Sequence, residues 1–203
     1  MAERSGKYRS QGIFLAAALL VASSLQALAQ VPPPVSAKLR ERIEVCKTCH
    51  GADGNSQMEK IPSLAGQPEY FLLNQLVLMR EGVRPVKEMA EFVKDLTDED
   101  IQSLSAYFSK LVPILTGPKP DPELVAKGKP VAEKLLCVSC HGKKLEGVEQ
   151  IPRLSGQRID YMIAAMRAYR MDKRPGADTT MSAAIASASD GDLVALAHYA
   201  ASR

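Results

Sequence analysis

The sequence is poor in aromatic residues and carries little net charge. It has no Trp, four Phe and six Tyr among 203 residues, so aromatic rings fill little of any hydrophobic core. The formal net charge is +3, from 26 Lys and Arg against 23 Asp and Glu, which provides no basic stripe for binding nucleic acid. Hydrophobic residues still make up 46% of the chain, a content typical of a folded globular protein rather than a disordered one.

Long apolar stretches are lacking except near the N terminus. Residues 13–22 form an apolar run that is shorter than the ~20 residues of a membrane span. Three basic residues precede this run, and residues 27–29 (Ala-Leu-Ala) form a small-x-small cleavage site. This order predicts a secretory signal peptide over residues 1–29 and a mature chain that begins at Gln30. A retained membrane anchor is the alternative interpretation.

The chain has only four cysteines and three histidines, and two of the histidines directly follow a cysteine pair. The two CxxCH motifs occupy residues 46–50 and 137–141, 91 residues apart, and a glycine follows each. The pattern IPxLxGQ also occurs twice, at residues 61–67 and 151–157. A nearly constant offset between matching motifs indicates an internal duplication.

The duplication predicts two domains, at residues 30–111 and 123–203. Residues 112–122 between them contain four prolines and one glycine, and we expect them to form a semi-extended linker. Apolar residues recur at helical spacing in both halves and no segment alternates like a strand, so the predicted fold class is all-α. The predicted helices cover residues 36–46, 68–81, 123–137 and 158–171, and two last helices begin after the caps Thr97 and Ser189.

The CxxCH motifs predict two covalently bound haem c groups. Two residues between the cysteines let one helical turn present both thiols to the vinyl groups of a porphyrin, and the next residue supplies a nitrogen to the iron. The predicted thioether residues are Cys46, Cys49, Cys137 and Cys140, and the predicted axial histidines are His50 and His141. Disulfides and a zinc site made from both cysteine pairs are the alternatives, although neither explains the histidine that follows each pair.

A low-spin haem that transfers electrons needs a second axial ligand, and a thioether sulfur raises its potential. Met89 lies 39 residues after His50, and Met181 lies 40 residues after His141. Both methionines follow an Arg-Pro pair and precede the last helix of their half, in segments predicted to be loops. We therefore predict them to be the second ligands, and the remaining methionines to be core residues.

Residues around the predicted ligands have expected roles as well. Pro62 and Pro152 follow the two histidines by 12 and 11 residues, and their carbonyl groups are predicted to accept the remaining ring N–H. Arg84 and Arg174 are candidates to neutralise haem propionates, or else lie in solvated loops. His198 follows no cysteine pair and is predicted to be a surface residue without a partner.

With these motifs the chain resembles the dihaem cytochrome c4 family, in which each half is a class I cytochrome c domain. The resemblance rests on the paired CxxCHG, the paired IPxLxGQ, and the order Arg-Pro, Met, Asp-(Ile/Leu), Tyr in each half, and it covers residues 36–203. It implies two tandem domains related by a pseudo-twofold axis. It also implies that Gly128 permits a close helix crossing opposite Tyr199 or its neighbour.

The resemblance implies an electron carrier of the bacterial periplasm, not an enzyme, with loose peripheral association with the inner membrane. The expected donor is a quinol-oxidising cytochrome complex and the expected acceptor a haem–copper oxidase. One alternative is the cytochrome subunit of a dehydrogenase, such as a sulfide-oxidising flavocytochrome. A dihaem enzyme of the peroxidase type is another, and it requires that Met89 or Met181 is not a ligand.

The two halves differ in charge. Residues 30–118 contain 10 basic and 12 acidic residues, whereas residues 119–203 contain 13 basic and 10 acidic residues. The net charges of the two halves therefore have opposite signs, which either orients redox partners or has arisen by chance.

Overall fold

A computed structural model describes Met1 and residues 36–176 and 179–203. Regular structure in these residues is helical, and the single β pairing found there is an isolated bridge between Val148 and Ile151, which confirms the predicted all-α class. The helices are α1 (Ala37–His50), α2 (Glu69–Arg80), α3 (Ala90–Val93), α4 (Asp98–Ser109), α5 (Pro122–Lys134), α6 (Cys137–His141), α7 (Ile159–Arg170), α8 (Thr179–Ile185) and α9 (Asp190–Ala201).

The predicted signal peptide, residues 1–29, lies outside the described part of the chain except for Met1. In the described ranges, no helix has both the length and the apolar character needed to cross a bilayer.

Four helices differ from the sequence-based expectation. Helix α1 continues through the first CxxCH motif, whereas the second motif forms a separate helix, α6, after a break at Leu136. The predicted loops 82–96 and 173–188 contain the short helices α3 and α8. Helices of four and seven residues span too few turns to show a periodic apolar pattern, so the sequence did not reveal them.

The last helix of each half begins with the predicted cap. Thr97 and Ser189 accept the backbone N–H groups of Asp100 and Asp192, and these two aspartates accept the backbone N–H of the cap in return. Such capping boxes satisfy backbone donors that the helix leaves unpaired. Asp100 also pairs with Lys38 Nζ at 3.1 Å and thereby connects α4 to α1.

Each half packs its first and second helices against its last one. The first core contains Leu72 from α2 and large side chains from α4, among them Leu104 and Phe108. In the second half α9 presents mainly alanines, and the buried Gly128 of α5 lies directly against α9. The expected close crossing at Gly128 is therefore confirmed, and it compensates for the small side chains of α9.

The segment between α4 and α5 is tied to both halves. The Asn55 side chain accepts the backbone N–H of Ile114 at 2.8 Å. Asp121 caps α5, which begins at Pro122, and its own N–H donates to His198 Nδ1 at 2.9 Å. The expectation that His198 has no partner is therefore wrong, because the linker passes over α9.

Candidate functional site

The histidines of the two CxxCH motifs have the same environment. His50 ends α1, His141 ends α6, and both side chains are buried. Nδ1 of His50 lies 2.8 Å from the carbonyl oxygen of Pro62, and Nδ1 of His141 lies 2.8 Å from that of Pro152. A carbonyl oxygen only accepts, so Nδ1 carries the hydrogen and Nε2 keeps a lone pair for a metal. The predicted proline partners are thus confirmed.

The protonation state of both rings also suits metal binding. Burial lowers the pKa of His50 and of His141, and the hydrogen bond to the proline carbonyl only partly opposes this effect. Both imidazoles are therefore held in the neutral form, which is the form that binds a metal.

The glycine after the first motif is sterically required. Gly51 has φ +91°, and a β-carbon at this position would lie 2.2 Å from the carbonyl oxygen of Asn55. The chain therefore turns back directly beneath His50, which any other residue would prevent. Gly142 has a similar φ of +84° after the second motif.

All four cysteines are free of disulfide bonds, and all except the exposed Cys140 are half-buried. Burial raises the pKa of Cys46 and Cys137, which disfavours the thiolate that a metal ion requires. Among the described residues, no three His, Cys, Asp or Glu side chains converge as metal ligands. The disulfide and zinc alternatives therefore have no support in the structure.

Both motifs line one continuous cavity of about 1170 Å³. This volume exceeds the ~300–1,000 Å³ of a typical site for one small molecule. The wall is largely apolar, with Leu64, Phe71 and Phe108 from the first half and Leu154 and Met162 from the second.

Met89 and Met181 line the same cavity as the histidines. Met89 lies in the turn that immediately precedes α3, as expected for a residue outside the main helices, whereas Met181 lies within α8 and not in the loop expected from the sequence. The structure thus brings both members of each predicted His/Met pair to the same cavity.

An arginine cluster spans the two halves inside this cavity. Arg84 and Arg174 both line it, and no carboxylate among the described residues pairs with either guanidinium. Arg174 Nη2 donates to the Tyr161 hydroxyl at 3.4 Å. Burial lowers the pKa of Arg84, and the charge of Arg174 lowers it further. Two close, partly buried cations without an anion are costly unless an anionic group binds beside them.

The residues present fit haem c. The propionates of haem supply the anionic groups that the arginine cluster lacks, while the apolar wall suits a porphyrin. The cysteine pairs provide thiols, and each histidine offers a free Nε2.

Sequence reasoning assigned no role to one repeated pair of residues. Gln67 and Gln157, the last residues of the IPxLxGQ motifs, are 4% and 5% exposed and contact the opposite half. Their repetition was visible in the sequence, but their partners lie 86–94 residues away along the chain.

Comparison with known proteins agrees with the duplicated sites. Residues 125–202 match the family model for cytochrome c, and residues 40–108 match that for cytochrome c oxidase, cbb3-type, subunit III. Cytochrome c4 of Pseudomonas aeruginosa is 32% identical, over 91% of this chain and 96% of its own length. The thiosulfate dehydrogenase electron acceptor of Thiomonas intermedia is 33% identical, over 78% of this chain and 77% of that protein.

A solved structure shows the same likeness. The crystal structure of reduced recombinant cytochrome c4 from Pseudomonas stutzeri matches with a TM-score of 0.73 and 31% identity, covering 80% of this chain and 95% of that chain. The chain thus has two CxxCH motifs in one cavity and two cytochrome c domains. Together with these relatives, they show that the chain belongs to the dihaem cytochrome c4 family, whose members are electron-transfer proteins with covalently bound haem c.

Proposed function

We propose that this chain is a carrier with two closed haem sites. In the first, Cys46 and Cys49 would form the thioethers, and His50 and Met89 would hold the iron. In the second, the corresponding residues are Cys137, Cys140, His141 and Met181. The observation that carries the proposal is that each half brings its histidine, with Nδ1 already bonded to a proline carbonyl, and its methionine to the same cavity.

The residues of the chain favour electron transfer over substrate chemistry. Bound haem c supplies a one-electron couple between ferric and ferrous iron. The carbonyl groups of Pro62 and Pro152 orient the histidines, and the apolar wall excludes water. If a histidine and a methionine hold each iron, no coordination position would remain for a substrate, and the peroxidase alternative would then be excluded.

The cellular role follows from the N-terminal sequence and the family. We infer that residues 1–29 direct export and that the mature chain, beginning at Gln30, works in the periplasm. There it carries electrons from a quinol-oxidising cytochrome complex to a haem–copper terminal oxidase, with loose peripheral contact with the membrane.

A second donor is supported by one specific observation. The relative from Thiomonas intermedia is a thiosulfate dehydrogenase electron acceptor that shares 33% identity with this chain. A dehydrogenase is therefore the alternative source of electrons.

The charges at the second site support a docking face. The cavity wall of the first half has four carboxylates, Glu41, Glu59, Glu88 and Glu91, and four cations that balance them, Lys38, Arg42, Lys60 and Arg84. The described wall of the second half has Arg153 and Arg174 and no carboxylate. The second half also exposes Lys143 and Lys144 close to its CxxCH motif. Because complementary charge accelerates encounter, we expect the second half to receive an acidic partner.

Optical spectroscopy tests the proposed sites. The protein is exported from a host that attaches haem, and spectra of the oxidised and reduced forms are recorded with and without carbon monoxide. We expect two haems per chain, a ferric methionine–iron charge-transfer band and no response to carbon monoxide. Binding of carbon monoxide to the wild-type protein contradicts the closed sites and favours an enzyme, and a colourless product contradicts haem attachment.

Stopped-flow kinetics tests the partners. Reduction is followed with a quinol-oxidising cytochrome complex and with thiosulfate dehydrogenase, and oxidation with a haem–copper oxidase, at low and high salt. The double variant Lys143→Glu/Lys144→Glu is expected to slow transfer with an acidic partner at low salt only. Lys87→Glu/Lys110→Glu makes the same charge change on exposed residues of the first half and is the control. Equal rates for both double variants contradict the docking assignment.

A further inference from the structure

The two halves are joined by reciprocal hydrogen bonds between equivalent residues. Gln157 Oε1 accepts the backbone N–H of Ser63 at 2.9 Å, and Gln157 Nε2 donates to the carbonyl oxygen of Ser63 at 2.9 Å. On the other side, Gln67 Oε1 accepts the N–H of Arg153 at 3.0 Å and Gln67 Nε2 donates to its carbonyl oxygen at 2.9 Å. Each glutamine thus binds the equivalent residue of the opposite half, as in an isologous dimer interface.

The residues bound by the glutamines directly follow the prolines that hold the histidines. One peptide group joins Pro62 to Ser63. Its carbonyl oxygen accepts His50 Nδ1–H at 2.8 Å, and its N–H donates to Gln157. The peptide group between Pro152 and Arg153 connects His141 to Gln67 in the same way. A single peptide therefore links each histidine to a glutamine of the other half.

This arrangement couples the two hydrogen bonds electronically. When a peptide N–H donates a hydrogen bond, its carbonyl oxygen becomes a stronger acceptor, because hydrogen bonds in a chain polarise one another. A stronger acceptor at Nδ1–H makes the histidine Nε2 more basic. A more basic axial nitrogen stabilises ferric iron relative to ferrous iron, which lowers the reduction potential.

We propose that Gln67 and Gln157 are positioning residues that tune the axial histidine of the opposite half through the proline peptide. Gln157 acts on the first haem site and Gln67 on the second. The proposal rests on the proposed ligation of iron by His50 and His141. It makes the potential of each site depend on the docking of the other half.

Other contacts between the halves do not have this property. Lys60 N–H donates to Asp160 Oδ2 at 3.0 Å, and Arg158 Nη1 donates to Ser56 O at 3.1 Å. Neither bond reaches a proline peptide. The equivalent bonds cannot form with the halves exchanged, because the first half has Pro68 and Tyr70 at the positions of Arg158 and Asp160. Among the hydrogen bonds between the halves in the described residues, only the glutamine contacts recur in both halves.

The test replaces each glutamine with leucine in the haem-loaded protein and measures both potentials. A redox titration is followed by NMR of the haem methyl signals, each assigned to its half. For Gln157→Leu we expect the equilibrium constant for reduction of the first haem to rise about two- to fivefold, because part of the free energy of one hydrogen bond differs between the two redox states. This corresponds to about 20–40 mV at ~59 mV per tenfold change. Gln67→Leu is expected to raise the second haem's constant instead.

Each substitution is expected to shift the potential of the haem in the opposite half, and this crossed pattern distinguishes tuning of the potential from a merely structural role. Thr116→Val is the matched control, because it removes a hydrogen bond to buried Ser56 without touching either proline peptide, and we expect it to leave both potentials unchanged. Shifts in the half that carries the substitution, equal shifts in both haems, or no shift overturn the proposal. If the leucine variants do not fold, Gln157→Asn and Gln67→Asn carry the same crossed prediction, because their amides are one carbon too short to reach the peptide.

Failure of the proposed ligation is recognised separately. Wild-type spectra without the methionine–iron band contradict the proposed function itself. Normal spectra combined with uncrossed potentials contradict only the role of the glutamines.

Discussion

Gly128 and Ala195 approach so closely that a β-carbon on Gly128 would lie 2.2 Å from the carbonyl oxygen of Ala195. The same β-carbon would lie 2.8 Å from Cβ of Tyr199. Distances this short leave no room for a side chain, so the crossing of α5 and α9 depends on glycine. Any larger residue must push apart the two helices that frame the second site.

We therefore expect Gly128→Ala to lower the free energy of unfolding by about 1–3 kcal/mol, the usual cost of overpacking. Denaturant titration of the haem-loaded protein measures this change. Gly191→Ala is the matched control, because Gly191 is also helical and the nearest atom to its added β-carbon is Ser189 Oγ at 3.8 Å. We expect the control to be neutral or to stabilise by up to ~1 kcal/mol. Equal losses in the two variants contradict the steric explanation.

Leu136 and Val45 occupy equivalent positions, each directly before the first cysteine of its CxxCH motif, but their backbone conformations differ. Leu136 has φ 54° and ψ 37°, the left-handed conformation, and is 67% exposed, whereas Val45 lies inside α1. A left-handed residue other than glycine costs about 1–2 kcal/mol. We expect Leu136→Gly to stabilise the protein by about 0.5–1 kcal/mol, after allowance for the greater chain entropy of glycine.

Val45→Gly makes the comparable change in a regular helix and should destabilise by about 0.5–1 kcal/mol. Thermal and denaturant unfolding of both variants measures the two effects. Effects of the same sign would show that backbone conformation at Leu136 is not the determining factor.

Removal of one proposed methionine ligand should open one iron. Met89→Ala and Met181→Ala are each expected to bind carbon monoxide at one of the two haems and to lose part of the methionine–iron band. The double variant should bind it at both. Met79→Ala is the control, since Met79 also lines the cavity but belongs to α2. Carbon monoxide binding by the control but not by a ligand variant would exclude that ligand assignment.

Asp100 should make stability depend on pH. Its burial raises the pKa, but hydrogen bonds from Thr97 and Lys38 and the charge of Arg42 outweigh burial, so the pKa of Asp100 is lowered. Its stabilising contribution is therefore full above the unfolded-state pKa of about 3.9 and is lost as the pH falls through the lower folded-state value. The difference in unfolding free energy between wild type and Asp100→Asn should be largest at neutral pH and shrink below about pH 4.

Urea titrations at several pH values measure this difference. Asp95→Asn, which changes an exposed aspartate in the same half, serves as the control and should show no such trend. A difference that is constant with pH for Asp100→Asn would mean that its ion pairs do not contribute.

Local chemistry explains why much of the site could be predicted from the sequence. The CxxCH spacing is fixed by the covalent attachment of haem, and a duplicated sequence marks equivalent residues in both halves. The caps Thr97 and Ser189 and the proline partners of the histidines lie within a few residues or a short loop of the groups they bind. Because these interactions are close in sequence, their patterns are visible without a fold.

The tertiary structure decided the features that join distant parts of the chain. Hydrogen bonds join the linker to His198, and Gln67 and Gln157 to the opposite half, across 77–94 residues of sequence. No local sequence pattern predicts them. The left-handed conformation of Leu136 likewise belongs to the break between α5, which ends at Lys134, and α6, which begins at Cys137. The sequence by itself determined two helical haem-binding units and their chemistry. The packing of one half on the other determined which peptide group each glutamine binds, because only the folded chain brings these groups within hydrogen-bond distance.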